Sequence, residues 1–530
     1  MARRSSAEWL AALLIATAAC RPAPPVPAAA SAPASVAASG ESADKLLLGA
    51  CGVLDRIEDF DESRGMELVF ERVSQWSRAA RPDTSAWRPD PLVDTVPADL
   101  RTAAGAPALD AEAFVFPDDV IWLRDQRWLA DIAKAARGDA VADLDVAVNL
   151  FRWTVRSLAV VADPPMVAAA SSDARRWWLP GEILLAGRAS PAQRTWIFLE
   201  LVRHAGLDAA FLATTDSAGG PRPWVPAVVC DGEAYLFEPT YGLPIPGPGG
   251  RGVAMARQAA ADPSILAALS LPDRPYPVQA GDVAGMSVLV AADPRSLSRR
   301  MAALAPALRG LRDVRLVVEA GRTGNAVAAA LPGGDRGAVR LWDFPWTTLA
   351  RRRADPAALA ASLRRDIAPL LAGVPGPGSE DRGLVRPLFA ARVREFRGDV
   401  EAAKAAYLAA RPPRDAVAAM VKELPPVAAD AVRRLDAQMK EDAAYWLGVV
   451  TLGEGECEAA VDYLRRMTLE AAPDSRWADA ARQNLGVAYA ALGRDAEAAA
   501  VLRQDESPQR FGSRLEAARL EARTAERPGP

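Results

Sequence analysis

Residues 221–247 read PRPWVPAVVCDGEAYLFEPTYGLPIPG, and a strand, a turn and a second strand can be read from them in order. The alternation on either side of Asp231-Gly232 has the two-residue period of strands. Asp-Gly is a pair that a tight hairpin favours, because its central residues take positive φ. The second strand runs out in Phe237-Glu238-Pro239-Thr240, and a Pro/Gly loop, GLPIPGPGGRG, follows. Tyr235 and Phe237, two apart, share a strand face. With Trp224 and Tyr241 they read either as core or as the wall of a ligand cleft.

Upstream lies SPAQRTWIFLELVRHAGLDAAFLAT, 190–214. Ser190 suits a helix cap and Pro191 the first helical position, where no intrahelical donor is needed. Residues 196–202 are apolar all round except Glu200, so this helix is expected to be buried on several sides. Gly206 ends it, and DAAFLAT is expected as a strand. Before it, VADLDVAVNLFRWTVRSLAV places Leu144, Val148, Phe151, Val155 and Leu158 on one helix face. DVIWLRDQRWLADIAKAARG is a further helical block, and a helix containing MELVFERVSQW is expected within 46–75.

Downstream, MSVLVAA, VRLVVEA and AVRLWDF alternate as strands around the helical stretches SLSRRMAALAPALRGL and RTGNAVAAAL. That is a small α/β unit. From 380 the chain reads as helical and repetitive. WLGVVTLGEGECEAAVDYL returns as NLGVAYAALGRDAEAAAVL at an offset of 38. Leu447, Gly448 and Ala460 match Leu485, Gly486 and Ala498, and Tyr489 belongs to the second copy. REFRGDVEAAKAAYLAA repeats the latter half, and irregular helices at 416–442 interrupt the series. Small residues where helices touch, with large ones between, resemble tetratricopeptide repeats, which stack into a solenoid and bind proteins in its groove.

Three segments in order, LFRWTVRSL, RTWIFLELVRHAGLDAAFLA and DGEAYLFEPTYG, resemble the transglutaminase-like thiol enzymes across about 140–250. The resemblance implies a cysteine at a helix N-terminus, a histidine opening one strand and an aspartate closing the next. A thiolate forms readily at a helix N-terminus, an imidazole one hydrogen bond away takes its proton, and a carboxylate orients that imidazole. Carried onto this chain, the nucleophile position falls on Pro191 beside Ser190. The base position falls on Pro223 or Trp224, and the third on Glu238. Neither proline nor tryptophan can do this chemistry, so the expected domain is catalytically degenerate.

Substitutes are scarce. His204 is the sole histidine. It lies fourteen residues beyond Ser190 on the same helix, about 20 Å away at a rise of about 1.5 Å per residue. It reads as a surface or helix-end residue, and Cys230 as a buried thiol at the hairpin turn. Glu71 and Glu238 cannot be brought together from sequence. Arg251 in the Pro/Gly loop could meet an anion. Arg351, Arg352 and Arg353 read as a solvated helix face.

The 530-residue chain carries a net charge of −4 and is 50% apolar, which supports several cores and gives no reason to expect nucleic acid as a partner. Its arginine, alanine and proline bias reads as GC-rich bacterial coding. The N-terminus MARRSSAEWLAALLIATAACRPAPP has the layout of an export signal, with Arg3 and Arg4 before a short apolar core and small residues before Cys20. That layout resembles a lipoprotein signal, in which Cys20 is lipidated and the following Ala/Pro/Ser stretch is a tether. Three cysteines then remain, Cys51, Cys230 and Cys457, too far apart in sequence for a zinc site.

The expected fold class is α+β: a degenerate transglutaminase-like domain, a small α/β domain and a C-terminal helical-repeat solenoid. The expected divisions are a signal peptide (1–20), a tether (21–45), a mainly helical region (46–138), the transglutaminase-like domain (139–280), the small domain (281–379) and the repeats (380–530). No cofactor or metal is expected. The expected function is that of an exported, non-catalytic scaffold at the cell envelope, binding protein partners through its repeats. Alternatives are a divergent hydrolase or amide-transferase using Ser190 or Cys230, and a peptide- or carbohydrate-binding module using the vacant cleft.

Overall fold

The computed structural model describes residues 40–162, 176–215, 220–333, 338–375, 384–422 and 424–526. The expected signal peptide, Cys20 and most of the tether lie outside them. The protein is α+β, mostly helical with one substantial sheet. A two-residue parallel ladder joins β1 (Ala159–Val160) to β2 (Arg188–Ala189). The main sheet is built from β3 (Ala209–Thr215), β4 (Pro221–Cys230), β5 (Glu233–Glu238), β6 (Leu243–Pro244), β7 (Ser287–Val290) and β8 (Val339–Leu341). Their order is β6-β5-β4-β3-β7-β8. All neighbours are antiparallel except β7 and β8.

The β4–β5 hairpin forms as its sequence predicts. Asp231 and Gly232 both take positive φ, 51° and 79°, and Cys230 pairs with Glu233. The helix Pro191–His204 is buried from Gln193 through Val202. Phe151, Phe198 and Phe237 meet in a ring cluster with centroids 5.1–5.2 Å apart. They come from the helix Asp143–Ser157, the helix Pro191–His204 and β5, so this cluster locks both helices to the sheet.

The sheet crosses the boundary expected at 280/281. Leu289 of β7 sits opposite Phe211 of β3, so the expected small α/β unit extends the sheet of the region before it. The stretch VRLVVEA is not a strand. Val314, Leu316 and Val318 are buried in alternation, as the pattern predicted, but they pair with no neighbouring strand. The Leu316 carbonyl instead accepts from Trp122 Nε1 at 3.2 Å, on the helix Asp118–Arg137. The helix expected within 46–75 is two, Gly40–Leu54 and Glu62–Ala80. The irregular stretch 416–442 resolves into the short helix Arg414–Val421 and the first part of a 28-residue helix, Pro426–Gly453.

The C-terminal repeat is visible as one contact made twice. A Cβ on Gly448 would come within 2.7 Å of Leu464, and one on Gly486 within 2.6 Å of Leu502. Leu447, Leu485, Ala460, Ala498 and Tyr489 are all buried around these two crossings. The repeats do not stand apart from the rest. Gly187 lets the Trp446 ring lie directly on its backbone, and Gly512 admits the Tyr241 carbonyl. Asn484 Nδ2 donates to the Arg156 carbonyl at 3.1 Å, and Arg514 pairs with Asp273 at 2.9 Å. The repeats are therefore packed, at these points, against the chain's own earlier segments.

Candidate functional site

Glu238 ends β5 and is 5% exposed. Its Oε1 accepts from the Thr240 amide at 2.9 Å and its Oε2 from the Tyr276 hydroxyl at 2.6 Å. Trp224 Nε1, on β4, donates to that same hydroxyl at 2.9 Å. The three side chains form one relay, from indole through phenol to carboxylate. Burial pushes the Glu238 carboxyl up, opposed by the bonds from Tyr276 and Thr240. Burial and the neighbouring Glu238 push the Tyr276 phenol well above its ordinary range. A buried carboxylate costs least when its oxygens accept hydrogen bonds, and here each oxygen accepts one. A cavity of about 180 Å³ opens beside the relay, bounded also by Arg222, Pro223, Tyr241 and Arg274.

Of the four aromatics expected together, Trp224 and Tyr241 line this cavity, while Phe237 packs into the ring cluster and Tyr235, whose backbone pairs with Met255, does not line it. Tyr276 is the member that sequence reasoning missed. It sits in a loop far along the chain from Glu238, and no local pattern marks it.

The helix N-terminus that faces this region is capped. Ser190 is 2% exposed, and its Oγ accepts from the Gln193 amide at 3.3 Å. Gln193 Oε1 returns a bond from the Ser190 amide at 3.0 Å, completing a capping box. Pro191 is the first helical residue. One turn further, Arg194 is fully buried and pairs with no carboxylate among the described residues. Its guanidinium donates to the carbonyls of Pro239 at 2.8 Å and Val155 at 2.7 Å, and to Gln509 Oε1 at 2.6 Å. Burial lowers its pKa to about 9. Arg194 thus ties the helix start to the residue after Glu238 and to the last repeat, and its role was not legible in sequence.

His204, at the far end of the helix, meets Gln126 Oε1 through Nε2 at 2.8 Å. Burial, then the charges of Arg203 and Arg315, hold its pKa well below the ordinary value, so the ring is neutral and already engaged. Cys51, Cys230 and Cys457 are free and buried. Burial, reinforced by Asp143 and Asp231, pushes the Cys230 thiol up to about 12, which leaves negligible thiolate at neutral pH. Glu71 is exposed on the helix Glu62–Ala80 and does not line the cavity.

Arg251 is exposed in its loop. The arginine run is not simply a solvated face: Arg352 is bidentate to Glu182 at 2.6 and 2.9 Å, and Arg353 pairs with Asp118 at 3.1 Å. Among the described residues no group of three histidines, cysteines or carboxylates could hold a metal ion, and no helix is long and apolar enough to cross a membrane. Comparison with known protein families, with curated proteins and with solved structures finds no match.

Proposed function

We propose that this protein is a non-catalytic, exported scaffold in which a transglutaminase-like framework is kept for its shape. The observation that carries the reading is the Trp224–Tyr276–Glu238 relay. At the position where the resemblance implies a base, an indole donates a hydrogen bond. Where a carboxylate would orient that base, Glu238 engages one oxygen with a phenol and the other with a backbone amide. Ser190 acts as a cap, His204 serves Gln126, and Cys230 is held as a thiol. Proton transfer needs a base within hydrogen-bond reach of a nucleophile, and these residues make none. Lipidation of Cys20 would tether the chain to an envelope membrane. Its tetratricopeptide-like repeats then serve first as an internal clamp, with their outward faces left for a protein partner.

One experiment tests both halves. Full-length protein is treated with broad serine- and cysteine-directed activity probes, and the expressing cells are fed a palmitate analogue. No probe labelling at Ser190 or Cys230 is expected, together with lipid labelling that Cys20→Ala abolishes. Probe labelling lost on Ser190→Ala or Cys230→Ala would restore the enzyme reading, and no lipid on Cys20 would remove the tether.

A further inference from the structure

A second and larger cleft, about 630 Å³, lies between the helices Asp118–Arg137, Asp143–Ser157, Pro387–Phe396 and Pro426–Gly453. That size suits a small organic ligand, for which pockets run about 300–1,000 Å³. Its charges do not cancel one another. The lining carboxylates are each answered by a group that does not line the cleft. Asp131 pairs with Arg127 at 2.6 Å, Glu395 with Arg392 at 2.7 Å, and Glu454 with Lys404. The lining Arg397 is itself spent on Glu58, at 2.6 and 2.8 Å.

Lys134, Arg152 and Arg156 also line the cleft, and their side chains make no hydrogen bond or ion pair among the described residues. Arg152 and Arg156 stand four apart on one helix, where neighbouring like charges repel unless something negative lies between them. Arg156 is the more exacting case. Its Nε is buried without an acceptor, and Glu395 is the one carboxylate that opposes the lowering of its pKa by burial. Its guanidinium lies against Gly453, where an added Cβ would come within 3.1 Å of Nη2. The C-terminal end of that helix offers about half a negative charge. Lys404 is shared with Glu401 and Glu456, and Arg127 with Asp55, so the positive excess around the cleft is small, but it is presented by the three cationic heads of Lys134, Arg152 and Arg156, which have no direct partner among the described residues. Trp153, between Arg152 and Arg156 on the same helix, and Val449 and Val450 of the helix Pro426–Gly453 supply apolar lining.

We propose that this cleft binds a small amphipathic anion: an oxyanion, carboxylate or phosphate, carried on an apolar body. Arg156 and Arg152 grip the oxyanion through charge-assisted bonds, which planar guanidinium groups make bidentately. Lys134 adds charge at the rim, and Trp153 with the two valines receives the body.

The test is calorimetric titration of the full chain with N-acetyl-phenylalanine, phenyl phosphate and the neutral N-acetyl-phenylalanine amide. One or both anions are expected to bind with one site per chain, and which of them binds identifies the oxyanion. The amide should bind at least about tenfold more weakly, the effect of losing one such charged contact. Arg156→Met and Arg152→Ala should each weaken the anion about fivefold or more. Arg152 is exposed, so its variant folds even if Arg156→Met does not. The proposal is overturned if neither anion binds up to about 10 mM, if the amide binds as well as the acid, or if Arg152→Ala leaves affinity unchanged.

Discussion

Asp131 is a carboxylate kept where ionisation is costly. Burial raises its pKa to about 6 despite the 2.6 Å bond from Arg127, against an ordinary 3.8. Below about 4 both the folded and unfolded chains hold the proton, and this group contributes nothing to the pH dependence. Between about 4 and 6 the folded chain keeps a proton that the unfolded chain releases, so stability falls as pH rises. Above 6 the full cost is present, about 3 kcal/mol from a shift near two units. Asp131→Asn is therefore expected to flatten the loss of stability between pH 4 and 7, read by urea unfolding at several pH values. A variant whose stability falls as steeply as the parent's would contradict this assignment. At this scale the sequence was a good guide to local roles and a poor one to long-range partners. Ser190 and Pro191 could be read as cap and first turn because the groups they satisfy lie within four residues. Tyr276 for Glu238, and Gln509 for Arg194, could not, because each bond joins segments that only the fold brings together.

Among the elements, the Asp231-Gly232 hairpin and the buried helix Pro191–His204 were legible because their signals are local: backbone conformation in one case, apolar periodicity in the other. The segment 314–319 shows where that logic stops. Alternating burial needs only two different sides, whereas a strand needs a neighbour, and periodicity says nothing about the neighbour. The repeat was legible in the spacing of small residues, and its physical content is the pairing of Gly448 with Leu464 and Gly486 with Leu502. Alanine at either glycine gains helix propensity of about 1 kcal/mol but forces a methyl group into the facing leucine, and overpacking of that kind costs about 1–3 kcal/mol. Gly448→Ala and Gly486→Ala are each expected to lower stability in denaturant titrations. Adding Leu464→Ala to Gly448→Ala should cost less than the two single changes summed, because the leucine is what the new methyl meets. Strict additivity would show that the contact is not the cause.

In the whole molecule, the buried apolar residues of the N-terminal helices, the sheet and the repeats form one continuous cluster. Trp446 on Gly187 and the Arg194–Gln509 bond join the repeats to the sheet region at points where neither side has water to fall back on. Differential scanning calorimetry is therefore expected to show one unfolding transition spanning both, since detaching the repeats would strip a buried guanidinium of one of its three acceptors. Two resolved transitions would mean that the clamp is loose. The expected division into separate domains could not be judged from sequence, because the sheet and the core are shared across boundaries that composition alone suggested.

The Arg194 clasp also sets an order of events. Two of its acceptors, Val155 and Pro239, are available once the middle of the chain has been made, but the third, Gln509, lies near the C-terminus. A nascent polypeptide emerging from a ribosome or a secretion channel must leave part of that cation to water until nearly its whole length has come through. Maturation is then a closing step performed by the tail, and a prematurely terminated chain would be left open, a ready substrate for quality-control proteases.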